Sequence, residues 1–206
     1  MDPAVERLVH AVAETRRLTT GRTRNGVPHD RADECSGSVD TDDAHGFDPF
    51  PLLRALSASG VRVVVMGQVA GILHGSRELT GDLDLLWNGA PDDASALAEA
   101  FASAAAAVAD GDGRAVACEA AAFRLEKVLF RTPAASGDCC TPRLPWGSLD
   151  IVRIIERAEV TQEDGGARIH YASIDDLITM RLAAGRPKDL RRAAELAGLR
   201  NATVSS

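Results

Sequence analysis

Val61-Arg62-Val63-Val64-Val65-Met66-Gly67, then Gln68-Val69-Ala70-Gly71-Ile72-Leu73-His74-Gly75-Ser76-Arg77-Glu78-Leu79-Thr80-Gly81, then Asp82-Leu83-Asp84-Leu85-Leu86-Trp87 is the stretch whose reading decides the fold. Val61 to Met66 is β-branched and too short for a helix of its own, so it reads as a buried strand that Gly67 ends. Residues 68–75 form a short helix, 75–81 a loop, and Leu83 to Trp87 a second strand. A glycine between a buried strand and a helix lets the backbone approach a ligand, and the helix start offers N–H groups to an anion. Asp82 and Asp84 are two residues apart on a strand, and the period of two places both carboxylates on one face. Two carboxylates so close repel unless a cation joins them, and Mg²⁺ (or Mn²⁺), a hard ion that keeps substrate phosphate in its shell, is the natural one. A triphosphate fits between the turn and the acid pair.

Working outward, Phe50, Leu52, Leu53 and Leu56 give a short helix closed by Gly60. Pro91-Asp92-Asp93 opens an Ala-rich helix over 91–109 with an acidic first turn. Residues 123–131 alternate like a strand exposed on one side, with Lys127 facing either the cleft or solvent; 132–147 read as a Pro-, Gly- and Cys-rich loop; Leu149 to Ile155 and Ala167 to Tyr171 read as strands. Ser173 caps a helix with Asp175 and Asp176 in its first turn, Gly185-Arg186-Pro187 breaks it, and Pro187 suits the first turn of a last helix through about Leu199. At the other end, Val5, Leu8, Val9, Val12 and Leu18 make residues 1–18 an amphipathic helix that docks on its own domain or on a protein partner. Residues 19–48 are polar and read as a flexible linker or disordered loop, and 49–200 as the main domain. The expected class is α/β (α+β): a small mixed β-sheet flanked by helices, with a short helical C-terminal part.

Composition limits the partners. The 206 residues carry a net charge of -7, which argues against coating nucleic acid through a broad basic surface, although a local basic pocket remains open. Of 23 basic residues only Lys127 and Lys188 are lysines, so nearly every cation is an Arg suited to bidentate phosphate or carboxylate contacts. Cys35, Cys118, Cys139 and Cys140 have neither zinc-site nor disulfide-framework spacing, which suits a reducing cytoplasm, and neither a signal peptide nor a membrane span is expected.

The order strand, Gly turn, short helix and D-x-D resembles the polymerase-β-like nucleotidyltransferase superfamily. More narrowly, Gly67-Gln68-Val69-Ala70 through His74-Gly75, Arg77, Thr80 and Asp82-Leu83-Asp84 looks like the G-G-x-A-x-x-x-H-G-x-x-R-x-T-x-D-x-D segment of the minimal bacterial branch that includes the AbiEii-type toxins. Gly185-Arg186-Pro187-Lys188-Asp189-Leu190 resembles the G-R-P-K-D-L that opens the C-terminal helix in many of these proteins. The resemblance implies a Mg²⁺-dependent enzyme that moves a nucleoside monophosphate from an NTP such as ATP to a hydroxyl of RNA (a tRNA 3′ end, for instance), protein or a small molecule such as an antibiotic, with a toxin of a toxin-antitoxin pair as one setting. It assigns metal binding and catalysis to Asp82 and Asp84. Its third acid comes from a later strand, for which Asp150 in Ser148-Leu149-Asp150-Ile151-Val152 is the candidate, since it interrupts an apolar run. Gly67, Gln68, Arg186 and Lys188 would serve the nucleotide, and Arg77 and Thr80 would either orient Asp82 and Asp84 or join them in binding the nucleotide by touching phosphate. Gln68 departs from the small second residue of the family's turn: its side chain either points away from the phosphates or hydrogen-bonds one. The rival reading is a nucleotide-binding regulator or interaction protein of the same fold without turnover. His74 is expected to be a structural histidine and Trp87 a core residue.

Overall fold

The structure, a computed structural model, describes residues 1–27 and 38–204. In chain order the helices are α1 Pro3–Thr19, α2 Phe50–Ser59, α3 Gly67–Leu73, α4 Ala94–Ser103, α5 Ala120–Phe123, α6 Ile151–Glu156, α7 Ile174–Ala184 and α8 Pro187–Val204. The strands are β1 Val63–Val65, β2 Leu83–Trp87, β3 Ala107–Asp110, β4 Ala115–Val116, β5 Lys127–Arg131, β6 Ser136–Cys140, β7 Glu159–Gln162 and β8 Arg168–Tyr171. Among the described residues they form one mixed sheet in the order β4-β3-β5-β6-β2-β1-β8-β7. β1 runs antiparallel to β2 and parallel to β8, while β2 runs parallel to β6. The α+β class holds, with a larger sheet than the sequence suggests.

The two faces of the sheet differ, and that difference makes the site. Val63, Val65, Leu83, Leu85, Trp87, Val128, Phe130 and Cys139 point into the main core, which α1 to α5 cover. On the opposite face Val64, Met66, Leu86 and Cys140 meet Ile151, Ile154 and Ile155 of α6 in a second, smaller core. The alternation that sends Leu83 and Leu85 inward leaves Asp84 on this second face, where it lines a cleft.

Three expectations are corrected. Leu149 to Ile155 is not a strand: Asp150 caps α6, its side chain accepting from the Arg153 N–H at 3.1 Å, and Ile151, Ile154 and Ile155 share one helical face. Residues 132–147 are not all loop, because 136–140 form β6 in the middle of the sheet. The helix after Asp93 ends at Ser103; Ala105 turns the chain at φ 54°, and residues 107–110 pair with β5 instead.

The segment expected to be a linker is ordered where it is described. Residues 38–44 form two short 3-10 turns, and Thr41, Ala44 and Phe47 are buried. Ala44 lies against Gly81, where an added Cβ would come within 2.6 Å of the Ala44 nitrogen, and Asp43 pairs with Arg131 at 2.6 Å. The rest of the expected linker, residues 28–37, and Cys35 with it, lie outside the described residues. α1 buries Ala4, Val5, Leu8 and Val12 in its own domain, and Arg7 donates to the Leu73 carbonyl, so of the two expected docking places, its own domain or a partner, this face takes its own domain; Val9 and Leu18 stay exposed. No helix among the described residues is long and apolar enough to cross a membrane.

Candidate active site

A cleft of about 820 Å³, within the usual size of ligand-binding clefts, opens on the second face of the sheet between the β1–α3 turn, the N-terminal end of β2, β6, and the α7–α8 junction. Gly67 sits at the turn with φ +63°, a left-handed conformation that L side chains rarely adopt. The space where its Cβ would stand is taken by the Asp84 carboxylate: that atom would lie 2.7 Å from Asp84 Cγ. The Met66 N–H donates to the Asp84 carbonyl at 2.9 Å, so turn and acid are held together through the backbone as well.

Asp82 is buried, accepts a hydrogen bond from the Thr80 hydroxyl, and lines the same cleft as Asp84. Beside Asp84, in parallel register, stands Asp138 of β6. That approach also depends on a glycine: a Cβ on Gly137 would fall 2.7 Å from the Leu83 carbonyl carbon of β2. On its sheet side the cleft is therefore lined by three carboxylates, those of Asp82, Asp84 and Asp138, while Asp189 lines it from α8. Asp150 is not among them; it is exposed at the start of α6 and does not line the cleft.

Lys127 of β5 reaches Asp138, Nζ to Oδ2 2.6 Å. Burial works to lower the Lys127 pKa, but the charge and hydrogen bond of Asp138, with help from Cys140 and Asp84, more than offset it, so the ammonium is held above its ordinary value. Burial, reinforced by Asp138, pushes the Cys140 thiol far up, and its S–H donates to Asp138 Oδ1 at 3.5 Å. This Cys is thus a protonated neighbour of the third acid, not a nucleophile. Among the described residues no three His, Cys, Asp or Glu side chains gather closely enough to enclose a metal ion by themselves. Mg²⁺ needs only one or two carboxylates when phosphate oxygens complete its shell, and Asp82 and Asp84 supply such a pair.

Opposite the acids, α7 and α8 bring Arg181, Arg186, Lys188 and Arg192 to the cleft. Arg181 is 5% exposed, and its Nη2 donates to the Gly67 carbonyl and to Gln68 Oε1, each at 2.9 Å. Burial, then the neighbouring Arg192, lower its pKa to about 10, against the pull of Asp189, Asp84 and Glu78; it remains a cation at neutral pH. The Gln68 amide donates to Ser76 Oγ at 2.9 Å and to the Glu78 carbonyl at 2.7 Å. The buried Gln68 side chain, although at the wall of the cleft, is thus engaged by Arg181, Ser76 and Glu78 and ties the turn to the loop that follows α3. Arg186 Nε pairs with Asp189 at 2.5 Å, and Asp189 also meets Arg181 at 3.6 Å. Arg181→Met would remove the buried cation from this network and is expected to lower stability by about 3 kcal/mol, read by urea denaturation; an unchanged midpoint would show that the network contributes nothing.

Of the other sequence candidates, Thr80 orients Asp82 as a second layer of support. Arg77 is exposed, binds Glu195 through its backbone N–H at 3.0 Å, and is not at the cleft. His74 Nε2 contacts the Ala172 carbonyl at 2.8 Å and its ring lies tilted against Tyr171, centroids 5.0 Å apart, as suits a structural histidine. Trp87 is fully buried. Asp138 is the functional candidate the sequence reading passed over; the signal it carried was an acid between Gly137 and Cys139-Cys140, at strand alternation with Cys140. No protein-family model and no curated protein sequence matches the chain.

Proposed function

We propose that the chain is a Mg²⁺-dependent nucleotidyltransferase that moves a nucleoside monophosphate from an NTP to a hydroxyl acceptor and releases pyrophosphate. The observation that carries this reading is the placement of Asp138 in register beside Asp84, with the Asp84 carboxylate filling the space a side chain at Gly67 would need. Asp82 and Asp84 would hold the metal, which when bound neutralises phosphate charge and polarises the reacting phosphoryl group. Asp138 lies where it can take the proton of the attacking hydroxyl, and Lys127 beside it keeps that carboxylate in place. Gly67 lets the phosphates come close to the backbone, Arg181 pins the turn by its carbonyl, and Lys188 and Arg186 face the phosphate side of the cleft. Asp150 and Arg77 take no part.

The rival, a nucleotide-binding protein without turnover, draws support from one contact: the Lys127 ammonium already neutralises Asp138. Gln68 does not favour it, since both ends of its amide are already engaged by Ser76, the Glu78 carbonyl and Arg181. Incubation with α-labelled NTPs, Mg²⁺ and pools of RNA, protein or small hydroxylated molecules separates the two. Label transferred to an acceptor with release of pyrophosphate supports the enzyme; calorimetric binding of NTP with no pyrophosphate released supports the regulator and overturns the transferase.

A further inference from the structure

Aromatic side chains are few: five Phe, two Trp and one Tyr. Among the described residues seven of the eight are sealed in the core, as Phe47, Phe50, Trp87, Phe101, Phe123, Phe130 and Tyr171 are all buried. Trp146 is the exception; it is half-buried and lines the cleft that holds Asp84 and Asp138. Its indole N–H donates to the Thr141 carbonyl at 2.8 Å. The polar edge of the ring is thereby satisfied by its own loop, and the ring is fixed in place, so that a planar partner could stack on it at little cost in side-chain entropy.

The surroundings match a neutral planar ligand. Leu144, Trp146, Leu149 and Met180 all pack on the edge of the smaller core and line the cleft, and the thioether of Met180 adapts to flat surfaces of varied outline. Charge is kept out of this wall: Arg143, the one charged residue between 141 and 149, turns its guanidinium to the Arg124 carbonyl at 2.9 Å and does not line the cleft. The cations of the cleft lie instead on α7 and α8 and at Lys127. The loop begins at Thr141, directly after β6, so the apolar wall starts three residues beyond Asp138.

We infer that the Thr141–Leu149 loop, with Trp146 as its platform, takes the nucleobase of the bound nucleotide, while the phosphates lie toward Gly67 and α8; this rests on the nucleotidyltransferase reading. The slot offers a stacking face and few side-chain hydrogen-bonding groups, so recognition there is base-tolerant, with purines favoured over pyrimidines by their larger face.

The test is calorimetry with MgATP, MgCTP and magnesium tripolyphosphate, which has the phosphates without the base. Trp146→Leu is expected to weaken MgATP binding roughly 5- to 100-fold, to weaken MgCTP less, and to leave tripolyphosphate within about twofold; Trp146→Phe should restore most of the loss. If Trp146→Leu does not fold, quenching of wild-type tryptophan emission by MgATP but not by tripolyphosphate decides, since Trp87 is fully buried. Unchanged MgATP affinity in Trp146→Leu, an equal loss for both ligands, or absence of quenching overturns the base slot alone. Wild-type protein that binds neither MgATP nor tripolyphosphate overturns the nucleotidyltransferase reading and the slot together.

Discussion

On the proposed function, Asp84→Asn is expected to lower the rate of nucleoside monophosphate transfer by at least about a thousandfold while the protein stays folded, because it removes charge from the carboxylate proposed to hold the metal and keeps its shape. Asp82→Asn should match it, since the amide oxygen can still accept from Thr80 and only the charge is lost. Asp138→Asn tests the third acid: the rate should fall by a comparable factor, and the ion pair with Lys127 is broken. Asp150→Ala is the contrast. It removes the helix cap at Arg153 and should cost about 1 kcal/mol of stability, with no change in transfer rate. Steady-state kinetics and denaturation on the four variants check this, and full activity in Asp138→Asn with a dead Asp150→Ala would reverse the assignment.

Gly67→Ala is expected to be nearly as damaging. At φ +63° an alanine sits in the left-handed region at a cost of about 1–2 kcal/mol, and its Cβ would occupy the position of the Asp84 carboxylate. One of the two must move. Displacement of a reacting group by an ångström can cost on the order of a hundredfold in rate, so kcat should fall by that factor or more. Circular dichroism should show native secondary structure. A variant with kcat within about twofold of wild type would mean that the turn does not set the position of Asp84.

The strand-turn-helix-strand unit around Gly67 was legible because each of its signals is local: a β-branched run, a glycine, an acid pair at period two. Gly60 after α2 and Ser173 before α7 were legible for the same reason, as caps that act within one turn. β6 was hidden because Ser136-Gly137-Asp138 carries no apolar alternation; the strand exists through its pairing with β2 and β5, and its composition serves close approach at Gly137 and charge at Asp138. Asp150 misled in the opposite way. Isoleucines at 151, 154 and 155 suit a strand by type and a helix by spacing, and a run this short does not decide between them until its neighbours are placed. Ala105 escaped notice because an alanine seldom turns a chain at positive φ, and the Ala-rich run around it favours continuing the helix.

The pin from Arg181 to the Gly67 carbonyl, shared with Asp189, bears on how the molecule can be divided. Gly185 separates α7 from α8 and looks like a natural seam for a truncation or a chimera. A cut there would strip Arg181 of its carboxylate and leave a buried cation beneath the turn that frames the acids. α8 is thus no detachable module: the β1–α3 turn, α7 and α8 work together through Gly67, Arg181 and Asp189, and a hybrid built from a relative would have to exchange them together.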